Sequence, residues 1–474
     1  MTANVIGFAL LVMGVFLLVG KMIRVSVPLF QSLFLPSSIL GGFAALLLGP
    51  QVLGNLLEPL TGEDSFWSTG LFTEGITEVW AALPGLMINV IFASLFIGKK
   101  TPSLKKILNY GGPQLAFGWT VGWGQYVIGL LIAVLILTPF FGIPPMAGAL
   151  IEIGFEGGHG TAAGMQSTFQ ELGFPQAYDL AVGLATIGVL SGVIVGIILI
   201  NIAARKKQTA IEMDENSFSD LQKLGIREFE NREAAGKMTV RSESIEPLSF
   251  HVAMISIAIL IGYGIQQAFI GLEAITWGPW TDTYVMTYIP LFPLAMIGGI
   301  LLQLFLDRFD RFNLVDRQMV MRVQGLSLDV LILTAIATIS LAVIGEYFVP
   351  FLLLAIAGIG WNVLAFKLFA KKMIPSYWFE RAIGDFGQSM GITATGLLLM
   401  RIVDPNVETP ALEAFGYKQL IYEPFLGGGL VTALSVPLIY SLGPIPFLIF
   451  AFLMSLIGWA AGIFYFGKQN TESF

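Results

Sequence analysis

Residues 155–168 read Phe-Glu-Gly-Gly-His-Gly-Thr-Ala-Ala-Gly-Met-Gln-Ser-Thr, inside a chain that is otherwise largely apolar. Gly157, Gly158 and Gly160 lie within four residues, flanked by Glu156, His159 and Thr161. Such a run is not a lipid-facing helix, because glycine weakens helices and unpaired backbone is costly in hydrocarbon. Non-helical backbone persists at membrane depth only where protein buries it or where it lines a wet cavity. The second half of the chain carries a matching piece, Gly391-Ile392-Thr393-Ala394-Thr395-Gly396. Two interrupted segments at corresponding places in two halves point to the substrate site of a secondary transporter.

Composition defines the solvent. Of 474 residues, 55% are hydrophobic and 12% charged, with a mean hydropathy of +0.79. Soluble domains carry about 25% charged residues, so this is an integral membrane protein. A net charge of −7 argues against nucleic acid as a partner. The absence of cysteine excludes disulfides and thiol chemistry. With two histidines, His159 and His251, a multi-histidine metal site has no ligands to draw on. No Walker A pattern is present, which disfavours ATP-driven pumping, and there is neither an arginine-rich voltage sensor nor a potassium filter. The apolar start, without a basic n-region, reads as a retained span rather than a signal peptide.

A bilayer core of about 30 Å asks for roughly 20 apolar residues per helix. Candidate spans are 3–20, 36–57, 79–98, 114–137, 177–203, 250–271, 287–306, 327–345, 350–370, 420–441 and 445–466. Pieces 145–170 and 380–401 are too interrupted to cross cleanly. Basic residues follow alternate spans: Lys21 and Arg24, then Lys99, Lys100, Lys105 and Lys106, then Arg205, Lys206 and Lys207, then Arg308, Arg311, Arg317 and Arg322, then Lys371, Lys372 and Arg381. The loops between, with Glu58, Glu63, Asp64, Glu74, Glu78, Glu273 and Asp282, hold no basic residue. The positive-inside rule then places the N-terminus outside, provided both interrupted pieces return to the side they entered from. They are expected re-entrant loops.

The predicted organisation is an N-terminal repeat over 1–204, a charged cytoplasmic linker over 205–248 (Glu212, Asp214, Glu215, Lys223, Arg227, Arg241), a C-terminal repeat over 249–442 and an extra span in 443–474. Five spans per half is an odd number, so the second half runs inverted. The predicted fold is an all-α membrane protein of two inverted five-helix repeats, each with a re-entrant loop. Two short patterns support duplication. Pro36-x4-Gly41-Gly42 recurs as Pro293-x4-Gly298-Gly299, and Thr161-Ala162-x-Gly164 recurs as Thr393-Ala394-x-Gly396. Asn89-Val90 and Asn362-Val363 fall on spans that are not partners, and that match is read as chance.

Gly41-Gly42 and Gly298-Gly299 read as close helix packing. Gly157-Gly158-x-Gly160 reads as a loop tip presenting N–H groups, followed by a half-helix whose dipole faces a carboxylate. His159 is a hydrogen-bond donor to an anion or a brace of the loop. Glu156 is a cation ligand or a partner of His159, and Glu152, one turn earlier, is placed nearer the outer interface. Asp385, Gln388, Ser389, Thr393 and Thr395 supply oxygens suited to a hard cation. Arg401 is a two-donor carboxylate ligand or an interfacial charge. Asp179 and Asp329 read as helix caps.

The run GGHGTAAG, with DLAVGLATIGVLSG after it and GITATGLLLMRIVDP in the second half, resembles the bacterial sodium/glutamate symporter family. The resemblance implies a sodium-coupled glutamate carrier in the bacterial inner membrane, working by elevator-type alternating access as a homodimer. It is related in fold to the 2-hydroxycarboxylate carriers. The linker 204–248, the added segment 445–466 and a second loop poorer in glycine depart from the family pattern. The expected substrate residues are Gly157, Gly158, His159, Gly160, Thr161, Thr395, Gly396 and Arg401. The expected sodium ligands are Glu156, Asp385, Gln388, Ser389 and Thr393. The competing readings are a sodium-coupled carrier of aspartate, citrate or malate, and an anion channel; none of the three is an enzyme.

Overall fold

The structure, a computed structural model, describes residues 2–62, 65–99, 103–210, 224–281, 284–405 and 407–468. Glu63, Asp64, Lys100, Glu212, Asp214, Glu215, Lys223 and Asp282, used above for loop charge, lie outside them. The regular structure of the described residues is all helix, without a strand. Among them, eleven helices are long and apolar enough to cross a membrane.

The helices form two compact units. The first gathers residues 1–100, 163–166 and 219–343, and the second 101–162, 167–218 and 344–474. Each unit therefore draws on both halves of the sequence.

In the first unit, Thr2 caps Ala3–Ser26 by accepting from the Val5 amide. This helix packs on Ser37–Thr61 and Trp67–Ser94 around Phe16, Phe72 and Trp80, and the Trp80 indole donates to Ala9 O at 3.0 Å. The packing reading of the glycine pairs holds. A Cβ on Gly41 would stand 2.5 Å from Phe16 O, and on Gly298 and Gly299 it would strike the carbonyls of Ala258 and Ala93. His251 is a structural pin, since its Nδ1 donates to Pro247 O at 2.6 Å and its Nε2 accepts from the Asp316 amide at 2.8 Å. Arg317 satisfies the Ser94 and Ile97 carbonyls beyond the third span. Lys21 donates to the Leu224 and Gly225 carbonyls, and Arg322 to Ala235 O. The basic ends of these spans thus share one end of the unit with the linker. Asp329 lies in the interior of Arg317–Ala337, whose N-cap is Asp316, so the cap reading fails there. Asp179 does sit in the first turn of Ala177–Arg205, after N-cap Gln176.

In the second unit the sequence-derived spans need two corrections. The expected span 420–441 is broken: Ala411–Tyr422 ends at Pro424, Gly427, Gly428 and Gly429, and a new helix runs over Leu430–Leu442. Conversely, Trp378–Val403 is long enough to cross but is not one straight rod. Gly391 (φ −161°, ψ 49°) and Ile392 (φ 63°, ψ 170°) interrupt it. A Cβ on Gly387 would stand 2.7 Å from Gly396 Cα, one on Gly396 would strike Gly384 O, and one on Gly384 would meet the Met400 side chain. In a straight helix, positions 384 and 400 would be roughly 24 Å apart at 1.5 Å per residue. The segment therefore folds back on itself as a helical hairpin, with small residues letting its arms touch. The extra helix Pro444–Lys468 packs on Ile107–Phe141 through Trp123, Phe447 and Phe450, and Ser455 donates to Thr120 O at 3.0 Å.

Candidate functional site at three chain breaks

The first interrupted segment runs as Leu150–Phe155, a break at Glu156 and Gly157, then Gly158–Gly164. Gly158 has φ +67° and a Cβ there would strike the Ile392 side chain. The two breaks of the second unit therefore meet tip to tip. They also share their local construction. Each has a glycine, then a residue at positive φ, then a threonine four residues after that glycine. Thr161 Oγ1 donates to Gly157 O at 2.9 Å, and Thr395 Oγ1 donates to Gly391 O at 2.5 Å. A hydroxyl thus takes up a carbonyl freed by the interruption. The structural partner of Thr161 is Thr395, two residues beyond the Thr393 that letter matching selects.

Several other groups of the first tip hold it in place. His159 Nε2 lies 3.0 Å from Thr186 Oγ1. That hydroxyl gives its own proton to Val182 O, so this ring nitrogen donates to it and the bond braces the loop. Gly160 is buried in the first turn after the break. Glu152 is fully buried in protein: its carboxylate accepts from Tyr126 OH (2.6 Å), Thr432 Oγ1 (2.8 Å) and the Gly427 amide (3.0 Å). It ties the first break to the third, at 424–429, where Gly427 approaches Glu156 O.

Glu156, 2% exposed, accepts from Ser389 Oγ at 2.6 Å. Ser389 O, next to the second break, receives Gln125 Nε2 at 2.7 Å and Asn362 Nδ2 at 3.1 Å. Among the described residues Glu156 Oε2 and Gln125 Oε1 are buried without a hydrogen-bond donor. A buried acceptor without a donor costs about 1–3 kcal/mol, so this pocket calls for a cation or a donor.

Asp385 and Gln388 are arranged differently. The ammonium of Lys418, fully buried, stands 3.1 Å from Asp385 Oδ1, 2.5 Å from Gln388 Oε1 and 3.9 Å from the Tyr422 ring centroid. The chain's own cation fills the seat that the two oxygens would otherwise offer. Thr393 is also engaged, giving its proton to Glu423 Oε1 at 3.1 Å and accepting from Gln419 Nε2 at 2.7 Å. Gly396 serves the contact between arms. Arg401 is exposed, and nine residues past Ile392 it lies roughly 13 Å along the arm from the tip. In this structure Arg401 therefore stands away from the tip.

Sequence reasoning missed Gln125, Asn362, Lys418, Gln419, Glu423 and the third break. The run Pro424 to Gly429 was a readable signal for the break. The buried amides and the lysine gave none, because their partners are brought up by the fold. Asn89 bonds within its own helix, to Gly85 O, which agrees with the chance reading of its match with Asn362. No cluster of three His, Cys, Asp or Glu suited to a metal occurs among the described residues. A cation seat among these described residues would combine at most two carboxylates with hydroxyl, amide and backbone oxygens.

A family model described as sodium/glutamate symporter matches residues 80–404, about two thirds of the chain. None of the curated proteins searched matches it.

Proposed function

Because the chain belongs to the sodium/glutamate symporter family, we propose that it imports L-glutamate together with sodium, and that the three meeting breaks of the second unit are its cargo site. The observation that carries this reading is the pair of matched tips, each with a positive φ and a threonine taking up the freed carbonyl. First-turn N–H groups of a helix lack intrahelical partners and carry partial positive charge. The half-helix that begins after Ile392 offers them to a carboxylate, as does the turn at Gly158 to Gly160. Sodium takes the unpartnered acceptors Glu156 Oε2 and Gln125 Oε1 with Ser389 Oγ. Asp385 and Gln388 support it from behind Lys418, and Thr393 from its place beside Glu423.

Both interrupted segments are re-entrant in this reading, and the two halves are inverted repeats. The fold-back of 378–403 and the grouping of basic span ends with the linker support it. The N-terminus lies outside the bacterial inner membrane and the linker in the cytoplasm. Alternating access is of elevator type, the unit bearing the breaks moving with its cargo. The test is glutamate uptake into proteoliposomes under an inward sodium gradient. Concentrative uptake that stops when potassium replaces sodium is expected; uptake indifferent to that replacement would remove sodium coupling.

A further inference from the structure

At the second tip the side-chain donors of Thr393 and Gln419 turn inward, toward one carboxylate. Thr393 donates to Glu423 Oε1, and Gln419 Nε2 donates both to Thr393 Oγ1 (2.7 Å) and to Glu423 Oε1 (3.0 Å). This consumes the donors of the trio and leaves two acceptors. Gln419 Oε1, in a residue only 5% exposed, has no donor among the described residues. Glu423 Oε2 has none of the trio's bonds, and Glu423 is half-buried at the third break. The amide cannot be turned to supply the missing donor, because its oxygen would then face two oxygens.

An acceptor-only corner bearing one negative charge recognises a cation with protons to give. It lies against Thr393, in the first turn of the half-helix whose N–H groups are assigned to a carboxylate. A carboxylate and an ammonium on one carbon are the signature of an α-amino acid. We propose that Glu423, with Gln419, receives the α-ammonium group of the cargo, and so separates amino acids from dicarboxylates that lack the amine. Thr393 positions the Glu423 carboxylate and does not touch the cargo. This rests on the transport reading above and adds the basis of its selectivity.

Glu423→Gln tests it well, since the amide keeps the oxygen that Thr393 and Gln419 address and replaces the charged second acceptor with an NH2 donor. Sodium-driven uptake of glutamate is measured with glutarate, the same diacid without the amine, as competitor. The expected result is a KM for glutamate raised at least tenfold, with the glutarate inhibition constant within twofold of wild type. Glu423→Asp, which retains the charge on a shorter stem, should recover part of the loss. An equal rise for glutamate and glutarate would reduce Glu423 to a brace of the tip. A loss of sodium affinity measured without substrate, with the glutamate-to-glutarate ratio unchanged, would make it a sodium ligand. Either result overturns the proposal. Wild-type protein that carries no glutamate would instead overturn the transport reading, before any variant is made.

Discussion

Gly158 has no room for a side chain and a backbone that other residues resist. At φ +67° a β-branched residue is a steric outlier, and a Cβ would drive into Ile392. Gly158→Val is expected to abolish transport while the protein still reaches the membrane, because the damage is confined to the contact of two tips. Wild-type uptake by that variant would show that the tips need not meet. Arg401→Lys serves as the control, with the substrate KM staying within about twofold, since an exposed arginine loses little when it keeps its charge. What was legible at this scale was residue type: Gly, Glu, His and Thr in a membrane segment mark a working tip. Their individual roles were not. His159 reads equally as an anion donor or a brace, and only the fold brings Thr186 to it; Thr393 looks like the partner of Thr161 until the four-residue reach of a hydroxyl to a carbonyl selects Thr395.

The second-break element is held shut by small residues between its arms and by one buried ion pair behind it. Removing one member of a buried pair leaves a charge in low dielectric at a cost of about 3–5 kcal/mol, whereas replacing both can be neutral. Lys418→Met should therefore lower the thermal stability of the detergent-purified protein sharply, and adding Asp385→Asn should recover most of it. A double variant no more stable than the single would mean that the pair does not act as a unit. The sequence could not announce this pair. Thirty-three residues separate its members, and only the fold-back at Gly391 and the packing of Ala411–Tyr422 bring them together. Hydropathy averaging also hid the third break, because Pro424 and three glycines are diluted by Leu, Val and Ile on the far side. It miscounted in the other direction as well: Trp378–Val403 has the length and apolarity of a crossing helix, and only Gly384, Gly387 and Gly396 betray that its two arms face each other.

For the whole molecule, a set of apolar helices long enough to span was legible, because a bilayer sets helix length and solvates no loose backbone. The grouping of those segments was not, since lipid offers every span the same apolar surroundings whichever neighbour it chooses. The two units, each assembled from both halves of the sequence, have a consequence for biosynthesis. Domains that occupy one stretch of chain fold as they leave the ribosome. Here the spans within residues 1–100 must wait in the bilayer until 219–343 have been made, and those of 101–162 until 344–474 follow. Neither half of the polypeptide holds a complete folding unit, so a gene cut within 211–223 should give two fragments that are each degraded when made alone. Made together, they should find one another and restore sodium-driven uptake, because the contacts that define each unit do not require a continuous linker. Accumulation of either fragment as a stable, monodisperse protein on its own would show that a half can fold without the other.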